Sequence, residues 1–228
     1  PSVEYLSGGP TKFELSAHRD ATFNLRNPNA PAPPTLLNYW RSSHYGGSVC
    51  NIAATDAWTK VIGPFLIYCN SGNTPDAMWR DALAQAGKES EAWPFDWVEG
   101  VDYPHKNERA TVAGKIILDD PQAPGSQMTN LLVGLTAPDY APAGIRRSPR
   151  RVDWQTDAKN YQFWIRADAG GNFFIPNVRS GHYSLHALAD GVLGELTVTN
   201  ITVAAGKNLA MGKINWRPVR YGKQLWDI

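Results

Sequence analysis

Six short runs of alternating apolar and polar residues follow one another between residues 109 and 205, and this repetition restricts the fold more than any other feature of the chain. The runs cover residues 111–118, 130–135, 161–166, 172–175, 182–187 and 193–203. Alternation with a period of two is typical of strands that bury one face, and glycine-containing turns separate the runs. Six or seven strands in about 95 residues predict a two-sheet β-sandwich of the immunoglobulin or fibronectin type.

The chain before this module has a similar pattern. Residues 1–72 contain alternating runs at 12–15, 21–25, 36–40, 58–62 and 64–68, separated by turns rich in glycine, proline and asparagine. These strands do not close a sandwich by themselves because no second sheet is evident. We therefore expect residues 1–106 to be the C-terminal part of a large β-sandwich with one helix, which makes the chain all-β.

The helix is predicted directly after residue 72. Thr74 can cap its N-terminus, Pro75 suits its first position, and Pro94 ends it. A stripe of apolar residues at helical spacing predicts a packing face. The stripe consists of Trp79, Ala82, Leu83, Ala86 and Trp93.

The connector at 94–107 is rich in aromatic residues and proline and has no period. It predicts an ordered, packed crossing between domains, since Phe95, Trp97 and Tyr103 favour burial. Residues 107–205 are then the fibronectin type III-like domain. Residues 206–228 are expected to be a connector and the start of a missing domain, because the chain stops on the apolar run LWDI.

Charge and hydropathy exclude two classes of partner. Lysine and arginine number 22 against 21 acidic residues, so the balance gives no electrostatic footprint for nucleic acid. The basic cluster at Arg146, Arg147, Arg150 and Arg151 lies among glycine, proline and serine and is interpreted as a solvated loop. No apolar run reaches the roughly 20 residues of a membrane helix, so no membrane partner is expected.

One run concentrates side chains that suit a sugar polymer. In LLNYWRSSHYGG, which ends at Gly47, Tyr39 and Tyr45 offer flat apolar faces, and His44 can transfer a proton near neutral pH. Aromatic faces stack on the C–H faces of sugar rings. The alternative is a structural, hydrogen-bonded histidine beside core aromatics.

Neither a disulfide nor a metal site follows from the sequence. Cys50 and Cys69 lie 19 residues apart and can bridge in a secreted protein or remain two buried thiols. His182 and His186 share one strand face but lack a third ligand nearby, so no metal is predicted. No cofactor is expected, although calcium in an absent C-terminal domain is possible.

Several motifs occur together in one order: LLNYWRSSHYGG, GPFLIYCNSG, EAWPFDWVEGVDYPHKNERATVAGKI, YQFWIRADAGGNFFIPNVRSGHYSLHALADGVLGE and PVRYGKQLWDI. In that order they resemble segments of the rhamnogalacturonan lyases of polysaccharide lyase family 4, from about residue 36 to the last residue. The resemblance implies a catalytic β-sandwich, a fibronectin type III-like middle domain and a C-terminal carbohydrate-binding-like domain. It also implies β-elimination between galacturonate and rhamnose in rhamnogalacturonan I.

The resemblance assigns roles to two residues of a Tyr-x-x-Ser-x-His segment. His44 inherits an acid-type catalytic role, and Tyr39 inherits a contact to substrate; Tyr45 is added because it adjoins His44. The family's lysine base and substrate-binding arginines are expected upstream of residue 1. Lys12 and Lys60 are interpreted as surface charges rather than as substitutes for that base.

The expected partners are rhamnogalacturonan I and the missing N-terminal and C-terminal parts of the same enzyme. The expected location is extracellular, or periplasmic in a bacterium. Two alternatives remain: a carbohydrate-binding sandwich or inactive lyase fragment without catalysis, and a purely structural module of the transthyretin or fibronectin type.

Overall fold

The computed structural model describes residues 3–5, 52–61, 63–64, 66–141, 151–220 and 222, and the fold is given for these. Its regular elements are, in chain order, β1 (Val3–Tyr5), α1 (Pro75–Ala92), a short 3-10 helix (Lys106–Glu108), β2 (Ala110–Leu118), β3 (Thr129–Thr136), β4 (Gln162–Arg166), β5 (Asn172–Val178), β6 (Gly181–Asp190), β7 (Leu196–Val203) and β8 (Asn208–Trp216).

The strands form two sheets. One has five strands in the order β1-β4-β3-β6-β7, and the other has three strands in the order β5-β2-β8. Neighbouring strands are antiparallel except that β8 runs parallel to β2. The prediction of an all-β fold with a β-sandwich and one helix is therefore confirmed.

Alternating burial produces the core between the sheets. On β5, Phe173 and Ile175 are buried whereas Asn172 and Phe174 are exposed, as period two requires. Phe163 packs edge-to-face on Tyr183, with ring centroids 6.1 Å apart. The Tyr183 hydroxyl donates to the backbone carbonyl of Arg179, four residues upstream, at 2.9 Å. A tyrosine bonded to upstream backbone in this way is typical of immunoglobulin-like sandwiches.

Close approach of the strands requires glycine at one position of β3. Gly134 lies opposite Trp164 of β4, and a Cβ atom built on Gly134 would come within 2.3 Å of the Trp164 ring. The indole therefore lies directly against the β3 backbone. Its Nε1 donates to the side-chain oxygen of Gln162 at 3.0 Å, so the buried polar atom is satisfied.

The sandwich extends beyond residue 205, although the sequence analysis predicted that a connector begins there. β8 pairs with β2 along its length, and Trp216, at its end, is 1% exposed in the core. In the sequence analysis this strand-like stretch is assigned to a connector, because Gly212, with a φ of 67°, interrupts the alternation that would mark a strand of the sandwich. The division between an earlier catalytic sandwich and this one stays a prediction.

Two predicted strands of the preceding part are not confirmed. Within the described residues of 52–72 no strand is present, although 58–62 and 64–68 have strand-like patterns. The exposed side chains of Leu66, Ile67 and Tyr68 show that the alternation there does not reflect a buried sheet face. The runs at 12–15, 21–25 and 36–40 lie outside the described residues.

The helix is confirmed, but its predicted packing face is not. The Thr74 side chain accepts from the backbone N–H of Ala77, and Pro75 is the first residue of α1. No residue of α1 is buried, and Trp79 and Leu83 of the apolar stripe are exposed. The partly buried side of the helix is instead polar at two positions, Gln85 and Glu89. None of the described helices is long and apolar enough to cross a membrane.

Candidate functional site

The three site residues predicted from sequence, Tyr39, His44 and Tyr45, lie outside the described residues. Their roles stay predictions. The structure describes the segment that begins eight residues after His44, from Ile52 onward, and shows how this segment is attached to the sandwich.

Tyr161, directly before β4, is the centre of that attachment. Its hydroxyl accepts from the backbone N–H of Val61 at 2.8 Å and donates to the Val61 carbonyl at 3.1 Å. Beside it, the indole N–H of Trp58 donates to the carbonyl of Lys159 at 3.1 Å. Residues 56–61 are thus hydrogen-bonded to the loop at 158–161.

Two cations lie on the Tyr161 ring. The Lys60 ammonium is 5.0 Å from the ring centroid, and the Arg179 guanidinium is 4.0 Å away. Such contacts contribute about 0.5–1 kcal/mol when exposed and about 2 kcal/mol when desolvated. We call Tyr161, Lys60 and Arg179 the Tyr161 junction.

The contacts of Lys60 correct its interpretation as a surface charge. Its ammonium donates to the carbonyls of Ala158 and Asn160 at 3.0 and 2.9 Å and is partly buried. An amine committed to two carbonyls and a ring holds the chain in place, so it is a poor candidate for a catalytic base. An ion pair at 2.6 Å between Asp56 and Lys159 adds to the same attachment.

The connector at 94–107 packs around the buried Arg109. The sequence predicts a packed connector but does not identify this arginine. The Arg109 guanidinium lies 4.8 Å from the Trp93 ring and 5.3 Å from the Tyr103 ring. Its Nε donates to the Pro104 carbonyl at 2.8 Å, and its Nη1 donates to the Asn177 carbonyl of β5 at 3.1 Å. The connector therefore packs on the sandwich.

Burial within this connector differs from the prediction at one aromatic residue. Tyr103 is buried and its hydroxyl accepts from the Phe95 backbone N–H at 3.0 Å, whereas Trp97 is 68% exposed. The Trp97 ring contacts that of Phe95, with centroids 5.5 Å apart, and does not enter the core.

A polar cavity of about 620 Å³ lies over the five-stranded sheet. His186 of β6 borders it and is 4% exposed, because the Trp154 ring covers the imidazole at 5.8 Å. Burial lowers the pKa of His186, although the Glu195 carboxylate, 3.5 Å from Nδ1, acts in the opposite direction. The imidazole Nε2 is buried without a hydrogen-bond partner.

This arrangement does not make a metal centre. His182 is exposed, and its Nδ1 lies 3.1 Å from the Thr202 hydroxyl, so it does not join His186. Across the described part of the chain, no three metal-ligating side chains lie close enough to hold an ion. The predicted absence of a cofactor stays a prediction. Cys69 is an exposed free thiol, and Cys50 lies outside the described residues.

The fold and the tyrosine contact of β6 define the class of the second half as a fibronectin type III-like β-sandwich. Residues 132–211 match the family model described as polysaccharide lyase family 4, domain II. The chain belongs to polysaccharide lyase family 4 and contains its domain II. The match ends within β8, past residue 205.

The chain is similar to curated proteins named as lyases over most of its length. It is 31% identical over 218 residues to a rhamnogalacturonate lyase of Dickeya dadantii, covering 95% of this chain and 31% of the relative. It is 26% identical over 199 residues to rhamnogalacturonate lyase B of Emericella nidulans, covering 85% and 27%. The chain thus spans about a third of the length of the curated relatives it matches.

Likeness to solved structures is weak. A minor pilin of Streptococcus agalactiae has a TM-score of 0.27 and 16% identity over 50% of this chain and 46% of that chain. A score of this size carries no argument about fold or function.

Proposed function

We propose that the chain is part of a rhamnogalacturonan endolyase that cleaves the galacturonate–rhamnose backbone of rhamnogalacturonan I by β-elimination. The similarity of 95% of this chain to the lyase of Dickeya dadantii supports the proposal most strongly. That similarity includes both the sandwich and most of the chain before it, so it is not limited to a common structural module.

The chemistry needs three kinds of group. The proton at C5 of galacturonate lies α to a carboxylate and is weakly acidic, so a cation must offset the charge that develops there. A base removes the proton, and an acid protonates the leaving oxygen. In this proposal His44 supplies the acid, and Tyr39 and Tyr45 hold sugar rings by stacking and hydrogen bonding.

The Tyr161 junction gives the sandwich a role in this reaction. It fixes residues 56–61, which follow the proposed site by fewer than 20 residues, to a rigid β-sheet. A site held by regular structure keeps its geometry better than one on a free loop. The sandwich therefore acts as a scaffold for the end of the catalytic region, and an extracellular location for pectin degradation accompanies the proposal.

The test is the elimination assay on the natural full-length protein. His44→Ala should reduce formation of the unsaturated uronate from rhamnogalacturonan I by about 100- to 10,000-fold, because a positioned acid is lost. The measurement is the ultraviolet absorbance of the new double bond. His182→Ala is the matched control, since His182 is an exposed histidine of the sandwich. Undiminished activity of His44→Ala would remove His44 from the mechanism.

A non-catalytic carbohydrate-binding protein is the second candidate. It is favoured by one observation, that the Lys60 amine is committed to two carbonyls and so does not serve as a base. This candidate predicts saturable binding of pectic oligosaccharides by the natural protein without any new double bond. Formation of that double bond would exclude it.

A further inference from the structure

The outer face of the three-stranded sheet carries one exposed aromatic ring. On β5 the buried Phe173 and Ile175 point into the core, so Phe174 between them points outward, and it is 61% exposed. Ala113 of β2 lies opposite Phe174, and Ala210 of β8 lies opposite Ala113. Since both neighbours are small, the flat face of the sheet beside the ring is open to a ligand.

Two lysines lie in the adjacent row of the same face. Lys115 of β2 is two residues from Ala113, and its partner in the β2–β8 pairing is Lys213. Neighbouring strands are about 4.8 Å apart, so the two side chains start close together. Like charges directly opposite each other are destabilising, and packing does not require them on an outer face. We call Phe174, Lys115 and Lys213 the basic platform.

The ammonium groups of Lys115 and Lys213 are available as hydrogen-bond donors to a ligand. Within the part of the chain that the structure describes, neither the Lys115 nor the Lys213 ammonium group makes a hydrogen bond or ion pair. The nearby carboxylate of Asp168 is occupied by its own loop, because it accepts from the backbone N–H groups of Gly170 and Asn172 and from the Asn172 amide. The hydrogen bond from Asn172 is the main cause that lowers the pKa of Asp168, and the charge of Lys115 is the smallest one.

A groove of about 720 Å³ continues the platform toward a third cation. Lys115 and Arg166 both border it, with Ile117 and Met128 on its apolar part. The Arg166 guanidinium makes one long contact, 3.4 Å, with the carbonyl of Asn130 and so keeps most of its donors for a ligand. Lys115 thus borders both the platform and a groove to which β4 of the other sheet contributes a third cation.

We propose that the basic platform binds a hexuronate unit of an acidic polysaccharide. The pyranose ring stacks on Phe174, and its carboxylate accepts hydrogen bonds from Lys115 and Lys213. A neutral sugar would leave the two ammonium groups without a counter-charge. The identity of the natural ligand, galacturonate of rhamnogalacturonan I, rests on the proposed function; the uronate chemistry of the platform does not.

The test is binding of oligogalacturonate to the full chain, measured by titration calorimetry. This ligand contains uronate but no galacturonate–rhamnose bond, so its binding is independent of any cleavage. The Lys115→Ala/Lys213→Ala double variant should bind about tenfold or more weakly, since two charge-assisted contacts are lost. Phe174→Ala should bind roughly threefold to tenfold more weakly because it loses the stacking surface.

The matched control is Lys207→Ala, which removes one exposed lysine beyond the other end of β8 and should leave binding unchanged. The neutral methyl ester of the oligogalacturonate should bind at least tenfold more weakly than the acid. The proposal would be overturned if the double lysine variant still bound the acid form of oligogalacturonate as tightly as the unchanged chain. It would also be overturned if the unchanged chain bound the methyl ester or dextran sulfate as tightly as it binds the acid. Platform binding without elimination activity would refute only the proposed function.

Discussion

The two-sheet sandwich is stabilised by different interactions from those that hold the segment of residues 52–109, which precedes β2 to β8. The sandwich has a continuous core of buried apolar side chains drawn from both sheets. In the preceding segment α1 has no buried residue, and the chain is held by contacts of single side chains such as Tyr161 and Arg109. A core is lost cooperatively, whereas point contacts are lost one at a time. The sandwich should therefore remain folded when the contacts of the segment are removed.

The largest expected effect is on the core. Trp216→Ala removes a side chain that is 1% exposed at the end of β8 and should lower the free energy of unfolding by about 3–5 kcal/mol. Chemical denaturation followed by circular dichroism measures it. Trp97→Ala, which removes a tryptophan that is 68% exposed, should change the same free energy little.

This pair of variants also tests where the sandwich ends. If residues beyond 205 were a connector, Trp216→Ala and Trp97→Ala would be equally mild, and the comparison between the two regions would fail. If Trp216→Ala does not fold, Trp216→Phe keeps most of the apolar volume and should give a smaller loss that remains measurable.

The sandwich has a buried core and the described part of the preceding segment does not. This difference explains why strands are predicted correctly in the first and wrongly in the second. Runs such as 111–118 and 172–175 alternate because one face is buried, so period two locates the strands to within a few residues. The run at 58–62 alternates as well, yet Trp58 and Lys60 use their polar ends to bind backbone carbonyls of a distant loop. Local periodicity cannot distinguish these two causes, because the partners lie about 100 residues away.

A middle-sized effect is expected at the Tyr161 junction. Tyr161→Phe keeps the ring on which Lys60 and Arg179 lie but removes both hydrogen bonds to Val61. The loss should be about 1 kcal/mol, felt locally, because Val61 is only partly buried. Hydrogen exchange of the Val61 amide should become roughly fivefold faster, while the unfolding midpoint of the sandwich changes little.

Tyr68→Phe is the control for this exchange measurement. It also removes one tyrosine hydroxyl bond, to Asp81 at 2.7 Å, but that bond joins Tyr68 to α1 and not to the loop at 158–161. Unchanged Val61 exchange in Tyr161→Phe would show that the segment is held by something other than the junction.

The two proposed sites, the run at 36–47 and the basic platform, also differ in how far the sequence predicts them. The aromatic and histidine content of the run at 36–47 indicates a sugar site from composition alone. The basic platform is invisible in the sequence, since Lys115, Phe174 and Lys213 are separated by tens of residues and meet only through the pairing of β5, β2 and β8. Phe173, Phe174 and Ile175 are all apolar, so the sequence alone does not show that Phe174 points outward.

The smallest effect is expected at the exposed ion pair of Asp56 and Lys159. The hydrogen bond from Lys159 is the main cause that lowers the pKa of Asp56 below its usual 3.8. Because the folded pKa is the lower one, the contribution is complete above pH 3.8 and is lost as the pH falls through the folded value. Protection of the Trp58 indole N–H, which is bonded to the Lys159 carbonyl, should therefore fall in acid when its exchange is compared with that of free tryptophan at the same pH. Asp56→Asn should remove this pH dependence and leave the sandwich midpoint unchanged; a loss of protection that persists in the variant would assign it to another group.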